Sequence, residues 1–119
     1  MITFEKVTVE NESVVKEMFK SHSLGEKKVQ YCVKVDDTYI GVIDYSVQEE
    51  RAVLSQLIIH FDYQGYGYGT NTYFTFEEMM KQRNVKEIKV LQEKLTEKAK
   101  SFIESFGFTS EDEEYVKKI

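Results

Sequence analysis

Residues able to do chemistry are concentrated in one place, the run Gln64-Gly65-Tyr66-Gly67-Tyr68-Gly69-Thr70. Glycines at alternate positions let main-chain N–H groups approach an anion without interference from Cβ. Where such a turn opens a helix, the unsatisfied amides add roughly half a positive charge. A turn of this kind grips phosphate with no basic side chain. The same spacing also suits a plain Tyr/Gly-rich surface loop, so context has to decide between them. The context here is a strand, Leu57-Ile58-Ile59, apolar on both faces as in the middle of a covered sheet, running through His60-Phe61-Asp62-Tyr63 into the glycines.

The remaining candidates are single side chains. His60 is the titratable group nearest the end of that strand, and imidazole ordinarily titrates close enough to neutrality to suit proton transfer. A lone histidine with no visible orienting partner also fits a structural or solvent-facing role. Cys32 is the single cysteine, in the alternating run Tyr31 to Val35 with no histidine nearby, and reads as a small buried strand residue rather than a nucleophile. His22 and His60 stand far apart, so no metal is expected. Asp44 and Gln56 interrupt apolar strands and by alternation face either a cleft or solvent. Tyr63, Tyr66 and Tyr68 read as packing and turn residues, and Glu111 to Glu114 as a solvated turn.

The elements that must position these residues follow in order. Ile2 to Val9 alternates as a strand, and Asn11 is placed to cap a helix whose inner face is Val14, Val15, Met18 and Phe19, before Gly25 breaks the chain. Val29 to Val35, Tyr39 to Val47 and Ala52 to Phe61 form a meander, turning at Asp36-Asp37-Thr38 and at Gln48 to Arg51. From Gly67 to Arg83 the rules conflict. Thr70 to Phe76 has strand propensity, Glu77 to Gln82 reads as helix, and the glycines ahead favour helix throughout. Lys86 to Leu91 is a fifth strand. Thr96 caps a helix with Ala99, Phe102, Ile103 and Phe106 on one face, ended by Gly107, and Phe108 to Ile119 holds short strand material. With no proline, linker or repeat, residues 1–119 read as one α+β domain, a sheet covered by helices.

The glycine segment resembles motif A of the GNAT superfamily of acyl-CoA-dependent N-acetyltransferases. That motif reads Gln or Arg, two residues, Gly, one residue, then Gly or Ala. Gln64, Gly67 and Gly69 fill those positions, and Asp62-Tyr63 looks like the family's approach to the turn. The order of elements is also similar, and Phe102, Gly107 and Phe108 match the ends of its final-helix pattern. The resemblance implies a mixed, mostly antiparallel sheet of about six strands with three helices packed on both faces. It implies acetyl-CoA as co-substrate and an amine, small molecule or protein, as acceptor. Main-chain groups of Leu57, Ile58 and Ile59 would bond the pantetheine arm, and residues Gln64, Gly65, Tyr66, Gly67, Tyr68, Gly69 and Thr70 would hold the pyrophosphate. A Rossmann nucleotide site uses similar glycines but needs a parallel β-α-β unit near the chain start, whereas the strand here belongs to an antiparallel meander.

At the catalytic positions the sequence departs from the family pattern. The Tyr that often protonates the leaving thiolate is replaced by Ile103, an Asn near the start of that helix by Thr96, and the positions that can carry a basic glutamate are Val53 and Leu91. A lysine-like amine costs about 4.6 kcal/mol to deprotonate at pH 7, against about 2 kcal/mol for a departing thiol. A base therefore matters more than an acid, and none beyond His60 is visible. Three readings follow: an N-acetyltransferase, a non-catalytic acyl-CoA-binding or sensing module, and a plain interaction domain.

A net charge of −5 leaves no basic face for phosphate, so nucleic acid is not an expected partner, while a cationic substrate would be steered favourably. The residues Met1 to Lys6 lack an apolar signal core and no run approaches a membrane span, so no membrane association and the cytoplasm are expected. The stretch Ser21 to Lys28 is short, which suggests an open acceptor cleft and leaves a homodimer open.

Overall fold

The computed structural model describes residues 1–18, 30–92 and 95–119. Seven strands and three helices follow in the order β1 (Ile2–Lys6), α1 (Glu12–Met18), β2 (Tyr31–Val35), β3 (Thr38–Gln48), β4 (Arg51–Ile59), α2 (Tyr68–Gln82), β5 (Glu87–Leu91), α3 (Glu97–Glu104), β6 (Thr109–Glu111) and β7 (Glu114–Lys118). The strands form one sheet in the order β1-β2-β3-β4-β5-β7-β6. The acidic C-terminal turn separates two strands rather than flanking one, so the sheet has seven strands where about six are expected. Phe19, Gly25 and Val29 lie outside the described residues.

The turns are those that side-chain chemistry dictates. Asp36 (φ 53°) and Glu49 (φ 58°) take the left-handed conformation that tight reversals demand, and β2–β3 closes across Val35 and Thr38. β4 pairs with β5 in parallel through Arg51/Glu87, Ala52/Ile88 and Val53/Lys89. A parallel pair requires a crossover, which α2 supplies. A local β-α-β unit, β4-α2-β5, is therefore present, contrary to the expectation that the strand before the glycines belongs wholly to an antiparallel meander. What separates this fold from a Rossmann fold is the antiparallel set of strands, β1–β2, β2–β3, β5–β7 and β6–β7, around that unit.

The chain divides into two compact units, Met1–Asp44 with Gln56–Phe76, and Tyr45–Ser55 with Glu77–Ile119. In the first, Val15 of α1 packs with Cys32 and Val42, and Val7, Met18, Tyr39 and Ile58 close around them. β1 ends at Lys6, three residues short of Val9, which is 91% exposed. The reason lies in Asn11. Its side chain turns back onto β1, with Oδ1 accepting from Thr8 N–H at 2.7 Å and Nδ2 donating to Lys6 O at 3.0 Å and Glu5 Oε2 at 3.3 Å. Asn11 precedes α1 as expected, but it ties strand to helix instead of capping the helix amides. Cys32 is buried in this core, and burial pushes its thiol up to about 11, with Glu5 adding to the rise.

In the second unit Met80, Val85, Ile88 and Val90 are buried, as are Ile103, Phe106, Phe108, Tyr115 and Val116. Thr96 Oγ1 accepts from Ala99 N–H at 3.1 Å, the expected cap of α3, and Gly107 ends the helix region with φ 95°. Buried Glu77 of α2 is met by Lys117 Nζ at 2.5 Å and Lys81 Nζ at 3.8 Å, which makes its burial tolerable. Among the described residues no helix is long and apolar enough to cross a membrane.

Candidate active site

β4 continues through Leu54–Ile59 beyond the last residue, Val53, in register with β5. Alternation along a strand sends successive backbone groups to opposite edges. On the β3 side, His60 N–H donates to Ile40 O at 2.8 Å, and Ile58 O sits over Gly41, where a Cβ would lie 2.3 Å away. Leu57 and Ile59 therefore present their N–H and C=O to the edge facing away from β3. Leu57 and Ile58 are half-buried and Ile59 is buried.

After Ile59 the chain makes one 3₁₀ turn, Phe61–Tyr63, with His60 as its cap. His60 Nδ1 accepts Asp62 N–H at 3.1 Å, and Asp62 Oδ2 stands 3.6 Å from the same nitrogen. The ring stacks on Phe61 with centroids 4.5 Å apart. With the Nδ1 lone pair so engaged, a neutral imidazole at this position carries its proton on Nε2. An orienting partner invisible in the sequence is thus present, and it orients His60 away from the role of base.

Gln64 is committed differently from the expectation. Its side-chain Nε2 donates to Ile59 O at 2.7 Å and its own N–H to Phe61 O at 3.3 Å, so both its donors are turned to the strand end. The main-chain amides that the family resemblance assigns to the pyrophosphate then follow from Gly65. Gly65 (φ 86°) and Gly67 (φ 83°) lie in the left-handed region, and a Cβ at either would meet nothing within 4 Å. Asn71 N–H donates to Gly67 O at 3.0 Å, the first bond of α2. The N–H groups of Tyr68, Gly69 and Thr70 therefore lie ahead of the helical ladder, where helix ends leave amides for an anion. Tyr66 is 74% exposed, so it is a turn residue but not a packing one. Its ring stands 6.3 Å from that of half-buried Tyr68.

An open groove of about 550 Å³ flanks the 3₁₀ turn, lined by Ser13, Val14, Glu17 and Met18 of α1 and by His60, Asp62 and Tyr63. His60, Asp62 and Tyr63 stand out in the residue order, but the α1 contribution does not, because it depends on where that helix docks. Asp44 is buried rather than solvent-facing. Gln56 is half-buried, and its Oε1 is shielded with no hydrogen-bond partner among the described residues. The remaining family positions do not supply acid or base: Thr96 caps α3, Ile103 is buried, Val53 is half-buried and Leu91 is exposed. Gly41 also escapes the sequence reading, although an isolated glycine inside a strand signals a close backbone approach. Among the described residues no group of three or more His, Cys, Asp or Glu could hold a metal ion.

The sequence model of the Acetyltransferase (GNAT) family matches residues 3–108. The chain belongs to the GNAT acetyltransferase family. The fold of this GNAT chain is shared by an acetyltransferase from Thermus thermophilus, 18% identical with a TM-score of 0.81, covering 100% of this chain and 97% of that one. The PaiA N-acetyltransferase of Thermoplasma acidophilum, solved in complex with coenzyme A, is 16% identical with a TM-score of 0.71 over 100% and 99% of the two chains. Arabidopsis thaliana Naa50, solved with the bisubstrate analogue CoA-Ac-MVNAL, is 18% identical with a TM-score of 0.69 over 97% and 95%. No curated protein matches the sequence.

Proposed function

We propose that this GNAT domain, residues 1–119, transfers the acetyl group of acetyl-CoA to an amine. The observation that carries the reading is the set of main-chain amides from Gly65 to Thr70, gathered by two left-handed glycines at the head of α2 directly after β4. They fit a diphosphate. Solved relatives of the same fold hold coenzyme A and a CoA–peptide conjugate, which agrees with it. In the proposal, the pyrophosphate sits on Gly65, Tyr66, Gly67, Tyr68, Gly69 and Thr70, with Gln64 fixing the turn to the strand. The pantetheine runs along Leu57, Ile58 and Ile59 as an added strand, bonded by the N–H and C=O of Leu57 and the N–H of Ile59, which face away from β3, while Ile59 O is held by Gln64.

The reaction balances without a cofactor. The lone pair of a neutral amine forms the C–N bond to the thioester carbonyl carbon, the C–S bond breaks, and sulfur leaves with the electron pair as thiolate. The nitrogen sheds one proton, and the thiolate takes one up to give free CoA. Orientation on the strand supplies several kcal/mol, and a main-chain N–H near Ile59 polarises the carbonyl. His60, with its proton on Nε2, is suited to donate toward the departing sulfur rather than to deprotonate the amine.

Thermal unfolding with acetyl-CoA tests the binding claim. Ligand at about 100 times Kd stabilises by about 2.7 kcal/mol, which is several degrees for a domain of this size. Gly67→Val places a β-branched side chain at φ 83° and in the open space before the amides, and abolishes the shift. A shift that persists in this variant sinks the assignment. The second reading, a binding module without turnover, is favoured by Val53, Leu91, Thr96 and Ile103 standing where acid or base would be. CoA release with an amine panel separates the two.

A further inference from the structure

The groove beside the 3₁₀ turn has a chemistry of its own. Among the described residues its lining carries two carboxylates, Glu17 and Asp62, and no lysine or arginine. Lys16, next to Glu17 on α1, is held by Glu12 at 3.3 Å instead. Glu17 makes no ion pair among the described residues. Val14 and Met18 give the same groove an apolar side, and about 550 Å³ lies within the usual range of small-ligand sites. His60 joins it to the end of β4, one peptide from Ile59.

We propose that this groove selects the acceptor, and that the acceptor is a small aliphatic diamine held by one ammonium against Glu17 and Asp62 while its other nitrogen is acetylated. The inference rests on the acetyl-transfer reading above and names its substrate class. Charge logic requires the second nitrogen. A carboxylate beside an ammonium raises its pKa, and each unit of rise makes the neutral, nucleophilic form tenfold scarcer. Carboxylates set against the reacting amine would oppose the reaction. Set against a distant ammonium, they anchor the molecule and leave the reacting nitrogen free to lose its proton. The methylene chain between the nitrogens is what Val14 and Met18 are suited to cover. The net charge of −5 steers the same dication toward the protein.

The test compares three acceptors of equal chain length: 1,4-diaminobutane, butylamine and 4-aminobutanoate. The expected order in kcat/KM is the diamine about tenfold above butylamine, beyond the twofold due to its two equivalent nitrogens, with 4-aminobutanoate lowest. An exposed charge pair gives up to about fivefold, and two carboxylates acting on one ammonium bring the preference to about tenfold. The preference shrinks as salt rises from about 0.05 to about 0.5 M. Glu17→Gln, a change at an exposed site, reduces the diamine-to-butylamine ratio toward two. Equal use of diamine and butylamine, or a ratio unmoved by Glu17→Gln, overturns the inference while leaving acetyl transfer standing. Should acetyl-CoA bind but no amine turn over, calorimetric titration of 1,4-diaminobutane into the CoA complex decides: binding that Glu17→Gln weakens supports the groove's role, and no binding overturns it. Absence of any acetyl-CoA-induced shift in melting overturns both readings.

Discussion

At the scale of single residues, what a side chain does here is set by its hydrogen-bond partner more than by its type. His60 is the nearest titratable group to the strand end, yet its Nδ1 is taken up by the N–H of Asp62. Gln64 fits the family motif, yet its amide clasps Ile59 O. The polar knot around Glu5 is the clearest case with a measurable consequence. Tyr39 O–H donates to Glu5 Oε2, Asn11 Nδ2 donates to the same oxygen, and Lys34 Nζ lies 3.8 Å from Oε1. Chiefly through the Tyr39 hydroxyl, with Asn11 and Lys34 adding, Glu5 is held below the ordinary carboxylate value of 4.5. Burial opposes this. Because the folded state then binds the proton less readily than the unfolded chain, the stabilisation is present at neutral pH. It is lost as pH falls from about 4.5 through the depressed folded value. Tyr39 itself is raised above 10, first by Glu5, so its contribution is present at neutral pH and fades as pH rises through the alkaline range. Tyr39→Phe should flatten both arms of the Tm profile. An unchanged acid arm between pH 5 and pH 3, as order-of-magnitude bounds for carboxylate titration, refutes this account.

At the scale of elements, the close approach of β3 to β4 decides where the reactive strand end lies. Gly41 stands where any Cβ would be 2.3 Å from Ile58 O and 3.0 Å from the Ile59 side chain, so the backbone itself would have to move. Gly41→Ala should cost about 2–3 kcal/mol, as overpacking does, and lower Tm by on the order of 10 °C. It should also weaken the acetyl-CoA-induced shift, since the displaced atoms belong to the strand that receives the pantetheine in our proposal. A variant as stable as the parent by calorimetry counts against a tight crossing. Other elements were easier to read. The Thr96 cap of α3 and its buried Ile103 follow from local bonding and periodicity and are found as read, while Phe106, though buried, lies past the helix end at Glu104. α2 is helical through Thr70–Phe76 against its strand propensity, because Tyr73, Phe76 and Met80 are each fully buried at helical spacing.

At the scale of the whole molecule, β3, β4 and α2 each contribute residues to both compact units, so neither unit owns a complete set of elements. A single domain of residues 1–119 should therefore unfold in one cooperative transition, with equal calorimetric and van't Hoff enthalpies. Two resolved transitions would refute it. The amino-acid sequence by itself determined the element order as far as α3, the glycine turn and the family likeness, because these follow from periodicity, capping and local backbone freedom. Only the tertiary structure decided the backward reach of Asn11, the clasp of Gln64, the tautomer of His60, the crossing at Gly41 and the groove that α1 shares with the 3₁₀ turn. Each of these except the local pairs depends on which distant segments meet, and even the local pairs depend on a choice among hydrogen-bond partners that packing makes. Residue type leaves that choice open; the docked strands and helices close it.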